Sequence, residues 1–155
     1  MNMYSIKNLQ KDTYIFFLEQ LKHKCDSFSL IEPIADSKGF PLELPQLKRN
    51  LEAFLISKER VRTWPGTKIK IKDDRYAAIS HKYRCCKASI DVLKKYSSFF
   101  EYDDQMDISF WENERCMLYT ISHEEIIRID FDYFKKLNIG NICEIVQGKR
   151  IILFK

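Results

Sequence analysis

The residues best suited to acid–base chemistry in this chain are three consecutive side chains, His123-Glu124-Glu125, preceded by Ser122. A histidine beside carboxylates can act as a general base or as a metal ligand. A helix that binds zinc as in metalloproteases needs a second histidine four residues later, and that position is Ile127. Ser122 adjoins His123 in sequence, which is a poor arrangement for activating a hydroxyl nucleophile. The triplet is compatible with a small hydrolase that uses His123 and Glu124. The simpler interpretation is that His123 ends a strand and forms local hydrogen bonds.

The remaining histidines and the cysteines give weaker patterns. His23 lies on the polar side of a predicted helix, where we expect it to be solvated, and His81 lies in mid-strand, where we expect a semi-buried side chain with satisfied hydrogen bonds. The chain has five cysteines and no CxxC pair, and the adjacent Cys85 and Cys86 would point to opposite faces of a strand. We therefore expect no metal site, no cofactor, and reduced cysteines that fill the core.

Composition narrows the classes of function. With 45% hydrophobic and 31% charged residues in 155, the chain matches an ordinary globular protein. Its four glycines form neither of the Gly-rich motifs that bind nucleotide phosphates, and no GxSxG motif occurs, which disfavours an enzyme. No apolar run reaches the roughly 18 residues of a membrane span, and residues 1–10 lack the apolar segment of a secretory signal. We expect a cytoplasmic protein without a membrane partner.

Charge is distributed unevenly along a chain whose net charge is +4. Residues 58–72 carry six basic residues and one acid, whereas residues 101–114 carry six acids and no base. A basic and an acidic surface would steer association with a charged partner. The strand Lys68-Ile-Lys-Ile-Lys72 and the many aromatic residues keep a nucleic-acid-binding regulator as an alternative. No RNA-binding signature accompanies them, however, and lysines on an outer strand also oppose edge pairing.

Apolar periodicity and turn residues predict the elements that position these groups. Helices are predicted at 9–25, from Pro45 to about Arg60, after an N-cap at Ser89, and at 131–137. Strands are predicted at 68–72, 76–83, 107–111, 116–121, 126–129 (or a helix start), 142–146 and 150–154. Residues 26–45 are predicted to form a loop, and the Pro-Gly pair after Trp64 a turn. The predicted fold is a single α+β domain in which N-terminal helices (about 1–62) pack on a mainly antiparallel sheet (about 63–155).

Four segments resemble a pattern in small bacterial proteins. They are Trp64-Pro-Gly-Thr67, Ile90-Asp-Val-Leu93, Asp107-Ile-Ser-Phe-Trp111 and Leu118-Tyr-Thr-Ile-Ser-His-Glu124. The likeness covers residues 64–129 and is to immunity proteins of polymorphic toxin systems, such as contact-dependent growth inhibition. The chain departs from the pattern before Asp107, where a Pro-Glu step is missing, and in the hairpin at 113–114, where a glycine is missing.

The resemblance implies a monomeric cytoplasmic protein that binds the C-terminal domain of a cognate toxin and neutralises it by occluding its active site or substrate groove. Many such toxins are nucleases with basic grooves, which an acidic, aromatic surface could fill. The residues then expected to contact the partner are Glu101, Tyr102, Asp103, Asp104, Asp107, Trp111, Glu112 and Glu114. The alternative is that Phe99, Phe110 and Trp111 belong to the core and only the acids are exposed.

Overall fold

Nine β-strands of the described chain form one antiparallel sheet. The structure is a computed structural model that describes residues 3–7, 9–33, 46–66, 78–102, 106–137, 144–147 and 150–152. The strands are β1 (Met3–Lys7), β2 (Ser27–Pro33), β3 (Leu55–Val61), β4 (Ala78–Arg84), β5 (Asp107–Glu112), β6 (Arg115–Ile121), β7 (Ile126–Asp130), β8 (Glu144–Gln147) and β9 (Arg150–Ile152). Their order is β3-β4-β2-β5-β6-β7-β1-β8-β9, and each neighbouring pair is antiparallel. The predicted α+β class with an antiparallel sheet is confirmed.

Short helices accompany the sheet. They are α1 (Lys11–Lys24), α2 (Gln46–Leu51), α3 (Lys87–Leu93) and α4 (Phe131–Phe134). Single 3-10 turns follow α2 (Glu52–Phe54), β6 (Ser122–Glu124) and α4 (Lys135–Leu137). The buried stripe of α1 matches its predicted periodicity, since Tyr14, Phe17, Leu18 and Leu21 are all fully buried. Within the part of the chain that is described, no helix combines the length and apolar character needed to span a membrane.

The sheet has an apolar face and a hydroxyl-rich face because its central strands alternate with a period of two. The buried core on the apolar face, which the helices cover, includes Phe28, Leu30, Tyr83, Ile108, Phe110 and Leu118. On the opposite face, Ser27 of β2 is paired with Trp111 of β5, and Ser29 is paired with Ser109. Burial of each large apolar side chain stabilises the fold by about 1.5–3 kcal/mol. The apolar face, which the helices cover, therefore contributes most of the hydrophobic stabilisation.

Residues 27–33 form a central strand, which corrects the prediction of a loop over residues 26–45. Serine favours turns, and Asp26 with Ser27 suggested one. In the fold, the alternation Ser-Phe-Ser-Leu decides the structure because it places Phe28 and Leu30 in the core while β2 pairs with β4 and β5. The remainder of the predicted loop, residues 34–45, lies outside the described residues.

The second helix is shorter than predicted. It ends at Leu51, and after one 3-10 turn the chain enters strand β3, which pairs with β4. The apolar spacing of Leu47 and Leu51 is helical and both are buried, but from Leu55 onward the pairing with β4 determines the structure. Because β1, β2 and β3 all precede residue 62, the predicted division into a helical part and a β-rich part does not hold.

Helix α3 begins earlier than predicted. Its N-cap is Cys86, and Ser89 is the third helical residue, whose hydroxyl accepts the Cys86 N–H at 3.0 Å and donates to the Arg84 carbonyl at 2.7 Å. The two predicted hairpins, β5–β6 and β8–β9, are confirmed, as are the strand at 126–129 and the short helix after it. The predicted strand 68–72 falls outside the described residues.

Candidate functional site

The described residues of the acidic, aromatic stretch predicted to contact a partner do not all lie on one surface. Tyr102 is only 3% exposed, and its hydroxyl lies 2.7 Å from that of Tyr14. Its ring also packs edge-on against Tyr96. Tyr102 therefore belongs to the core and not to the surface. Phe99 and Phe110 are fully buried and belong to the core as well. Asp103 and Asp104 lie outside the described residues.

Asp107 has a structural role in the fold. One carboxylate oxygen accepts the backbone N–H of Ser122 at 2.7 Å, and the other accepts the indole N–H of Trp64 at 3.3 Å. Asp107 thereby fixes the end of β6 and the segment that follows β3. Both carboxylate oxygens of Asp107 are therefore engaged within the fold.

Three further predicted contacts, Trp111, Glu112 and Glu114, lie around the β5–β6 turn. Glu112 forms an ion pair with Lys24 at 2.9 Å, which raises the pKa of the lysine. Trp111 is half-buried, and its indole N–H donates to the Ser109 hydroxyl at 2.9 Å. Glu114 is exposed in the two-residue turn. Glu112 and Trp111 therefore each have a polar contact within the fold. Glu114 has none among the described residues, and its side chain is exposed to solvent.

The structure instead brings Glu101 together with the other sequence candidate, the His123-Glu124-Glu125 triplet. Glu101, Glu124 and Glu125 line one cleft of about 600 Å³, which we call the acidic cleft. Its remaining walls are Ile6, Leu9, Ser98, Phe100 and Ile127. All three glutamates are exposed, whereas Ile6 and Ile127 are buried core residues. The cleft thus combines an apolar floor with an acidic rim.

Local backbone geometry accounts for the position of these carboxylates. Glu125 follows the 3-10 turn Ser122–Glu124 in a left-handed conformation (φ 52°), and its N–H donates to the Ser122 carbonyl at 3.1 Å. A left-handed non-glycine residue costs roughly 1–3 kcal/mol, and such strain is concentrated at functional sites. The carboxylate of Glu101 accepts the Ser97 N–H at 3.2 Å, which holds the loop after α3 at the other side of the cleft.

The geometry at the triplet does not favour a serine nucleophile. Ser122 is 3% exposed, and its hydroxyl donates to the Met106 carbonyl at 3.0 Å. His123 is exposed, and its Nε2 lies 3.6 Å from Glu124 Oε1. The Ser122 side chain is therefore buried and the His123 side chain exposed. This agrees with the poor arrangement predicted from their adjacency in sequence. No group of three or more His, Cys, Asp or Glu side chains among the described residues is arranged to hold a metal ion.

A buried polar cluster beneath α2 was not predicted. Lys48 is 4% exposed and forms an ion pair with Glu32, and Nε2 of His81 lies 3.9 Å from the same carboxylate. Burial, with Lys48 and Lys58 nearby, lowers the pKa of His81 to about 4, so the imidazole is neutral at pH 7 and forms no ion pair. Its Nε2 has no hydrogen-bond partner among the described residues, contrary to the expected satisfied histidine.

A second cleft lies on the hydroxyl-rich face of the sheet. Its inner part, about 390 Å³, is lined by both Trp64 and Trp111 and by the hydroxyl-bearing residues Ser29, Thr63, Ser80 and Ser109. An outer part of about 320 Å³ shares Ser29, Ser80 and Trp111 with the inner part and adds Ser27. We call the two parts together the serine cleft. The signal in the sequence is the alternation of Ser27 and Ser29 with apolar residues in β2, although serine also favours turns.

Comparison with known proteins identifies no relative. No family model, curated protein or solved structure matches the chain.

Proposed function

We propose that this chain is an immunity protein that binds and neutralises a cognate bacterial toxin domain in the cytoplasm. The observation that carries the proposal is the acidic cleft, in which Glu101, Glu124 and Glu125 surround an apolar floor. Tightly bound protein interfaces combine a desolvated apolar centre with a polar rim. The resemblance of residues 64–129 to immunity proteins supports the same function.

The chemistry of the cleft favours a cationic partner. Three carboxylates within one cleft attract lysine and arginine side chains, such as those that line the substrate groove of a nuclease. The stems of these side chains would pack on Ile6, Phe100 and Ile127 while their charged ends reach the glutamates. Occupation of the groove in this way would exclude the substrate of the toxin without any catalysis by this chain.

Growth protection tests the proposal. The C-terminal domain of a toxin encoded beside this gene is expressed in a host that carries either the wild-type chain or a variant. We expect the wild-type chain to restore growth. We expect E101Q/E124Q/E125Q to lose at least about tenfold in affinity for the toxin domain, since a hydrogen bond to a charged group is worth roughly 1 kcal/mol more than one between neutral groups.

A matched control separates the cleft from overall charge. The triple variant D12N/E52Q/E59Q removes the same charge from exposed carboxylates outside the acidic cleft, and we expect it to protect the host fully. The proposal fails if deletion of the gene leaves the strain resistant to its own neighbouring toxin, or if the control loses affinity as much as the cleft variant.

Nucleic-acid binding is the second candidate, and the observation that favours it is the basic edge of the sheet. Lys58 and Arg60 of β3 and the following Arg62 are exposed. A nucleic-acid-binding regulator would bind RNA or DNA with an affinity that falls steeply with salt, by about 0.9 log units per log of salt concentration for each phosphate contacted. Filter binding at two salt concentrations distinguishes this function from toxin neutralisation.

A further inference from the structure

The inner part of the serine cleft is roofed by the segment 62–66, which crosses the sheet after β3. The indole N–H of Trp64 donates to Asp107 on β5. Gly66 reaches β6, where a Cβ added to this glycine would lie 2.8 Å from Cγ1 of Ile121. Because β4 and β2 lie between β3 and β5 in the sheet, the segment passes over both strands. The roof and the sheet border the inner part, an open cavity of about 390 Å³.

The lining of this cavity is uncharged and rich in hydroxyl groups. None of the described residues that line the inner part is ionisable, and four of them carry a hydroxyl. A hydroxyl both donates and accepts, so these side chains suit a ligand that presents hydroxyls of its own. The cavity volume falls within the roughly 300–1,000 Å³ of small-molecule sites, which typically combine aromatic walls with a few polar groups.

The two tryptophans offer the cleft only their apolar ring surfaces. The indole N–H of Trp64 is bound to Asp107, and that of Trp111 is bound to Ser109. Since Ser109 accepts from Trp111, its own proton remains available to a ligand. Apolar indole surfaces beside hydroxyls favour a ring that has one apolar side and a polar periphery.

Ser27 supplies an independent sign of an incomplete site. It lines the outer part of the cleft and is 1% exposed, and its hydroxyl has no hydrogen-bond partner among the described residues. Nearly all buried polar groups in proteins are hydrogen-bonded, and an unpaired one is destabilising. A ligand hydroxyl in the outer part would satisfy this side chain. The charged groups of the outer part, Lys82, Glu59 and Glu114, lie outside the uncharged inner cavity.

We propose that the serine cleft binds an uncharged, hydroxyl-bearing ring, which in chemical terms is a pyranose sugar. The ring lies in the inner cavity against Trp64 and Trp111, and its hydroxyls exchange hydrogen bonds with the serines of β2, β4 and β5. One hydroxyl extends into the adjoining outer part and pairs with Ser27. The absence of a cation among the described inner residues disfavours phosphorylated sugars and nucleotides. This site is separate from the acidic cleft and independent of toxin binding.

Intrinsic fluorescence tests the proposal directly because the chain contains two tryptophans and both line the cleft. The full-length protein is titrated with glucose, galactose, N-acetylglucosamine and maltose, each up to about 10 mM, which would occupy most of a site with a Kd of ~1 mM. We expect a saturable change with at least one neutral sugar and none with glucose 6-phosphate.

Variants identify the site. We expect S27A to weaken sugar binding about fivefold, the contribution of one hydrogen bond, and S97A, at an exposed serine that does not line the serine cleft, to leave binding unchanged. Thermal unfolding of S27A checks that the fold is retained, and E101Q/E124Q/E125Q should bind sugar normally whether or not toxin neutralisation is lost. The proposal is overturned if no neutral sugar gives a saturable change, if S27A and S97A bind equally well, or if glucose 6-phosphate binds as well as the neutral sugars.

Discussion

The hydroxyl of Tyr102 donates a hydrogen bond to the hydroxyl of Tyr14 inside the core. The hydroxyl of Tyr14 donates its hydrogen bond to the Leu93 carbonyl at 2.6 Å. Since a phenol has only one proton to donate, Tyr102 must be the donor in the 2.7 Å hydrogen bond between the two tyrosines. Burial raises the pKa of both phenols, so both are protonated at neutral pH. This chain of bonds ties α1 to the end of α3 and to the loop that leads to Glu101.

The direction of this chain predicts unequal effects of removing the two hydroxyls. Tyr14→Phe leaves the buried Tyr102 hydroxyl without an acceptor, and we expect it to lower the free energy of unfolding by about 2–3 kcal/mol. It also removes one donor from the Leu93 carbonyl, which still accepts the Tyr96 N–H at 3.1 Å. Tyr102→Phe leaves the bond from Tyr14 to Leu93 intact and should cost about 1 kcal/mol. Urea unfolding measures both, with Tyr133→Phe as a half-buried control. Equal losses for the two variants would contradict the assigned direction.

The neutral, buried imidazole of His81 predicts acid sensitivity. Burial lowers the pKa of His81 from 6.5 in the unfolded chain to about 4 in the fold. Below pH 6.5 the unfolded state takes up the proton first, so stability is fully present above pH 6.5 and is lost as the pH falls towards 4. The difference corresponds to about 3 kcal/mol.

Replacement of this histidine tests the origin of the acid sensitivity. We expect His81→Gln to flatten the decrease in unfolding free energy between pH 7 and pH 4.5, whereas His123→Gln, at an exposed histidine, should retain it. If the two variants follow the same pH dependence, the loss arises from other groups.

The ion pair between Lys48 and Glu32 is expected to matter more than a surface pair. Lys48→Met leaves the Glu32 carboxylate, which is 20% exposed, without its cation, and should lower the free energy of unfolding by about 3 kcal/mol. Lys87→Met breaks an exposed pair with Asp91 and should cost less than about 0.5 kcal/mol. Glu32→Gln combined with Lys48→Met should recover part of the loss. Chemical denaturation that gives similar values for Lys48→Met and Lys87→Met would exclude this account.

Asp107 is expected to hold the roof of the serine cleft through Trp64. In Asp107→Asn, one oxygen can still accept the Ser122 N–H, but the amide group then faces the indole N–H with donors of its own. We expect Trp64 to become more exposed, which shifts the tryptophan emission to longer wavelength and increases quenching by acrylamide. Glu52→Gln, which changes the same charge at an exposed position that lines neither part of the serine cleft, should leave the emission unchanged. An unchanged spectrum in Asp107→Asn would show that the other contacts of Trp64 hold the roof.

Elements whose signals are local were predictable from the sequence. The β5–β6 hairpin follows from alternation on both sides of a short polar turn, in which Asn113 adopts the left-handed conformation that such turns need. Strand β2 was missed because its serines resemble turn residues, although the same serines form the floor of the serine cleft. The burial of Tyr102 depends on its contact with Tyr14, and the acidic cleft depends on Glu101 and Glu124 lying close together. These are contacts between segments far apart in sequence, which the local periodicity of apolar residues does not predict.

The position of β1 in the sheet has a consequence for how the chain is made. Met3 of β1 is paired with Asp130 of β7, and β1 lies between β7 and β8. A ribosome that adds roughly 5–20 residues per second therefore leaves β1 without its neighbours for about 6–25 s. During that time both edges of a β-strand are open to other chains. The half of the sheet around β2, β4 and β5 can form first, and β1 is added only when the last strands emerge, which makes the early chain a natural client for chaperones.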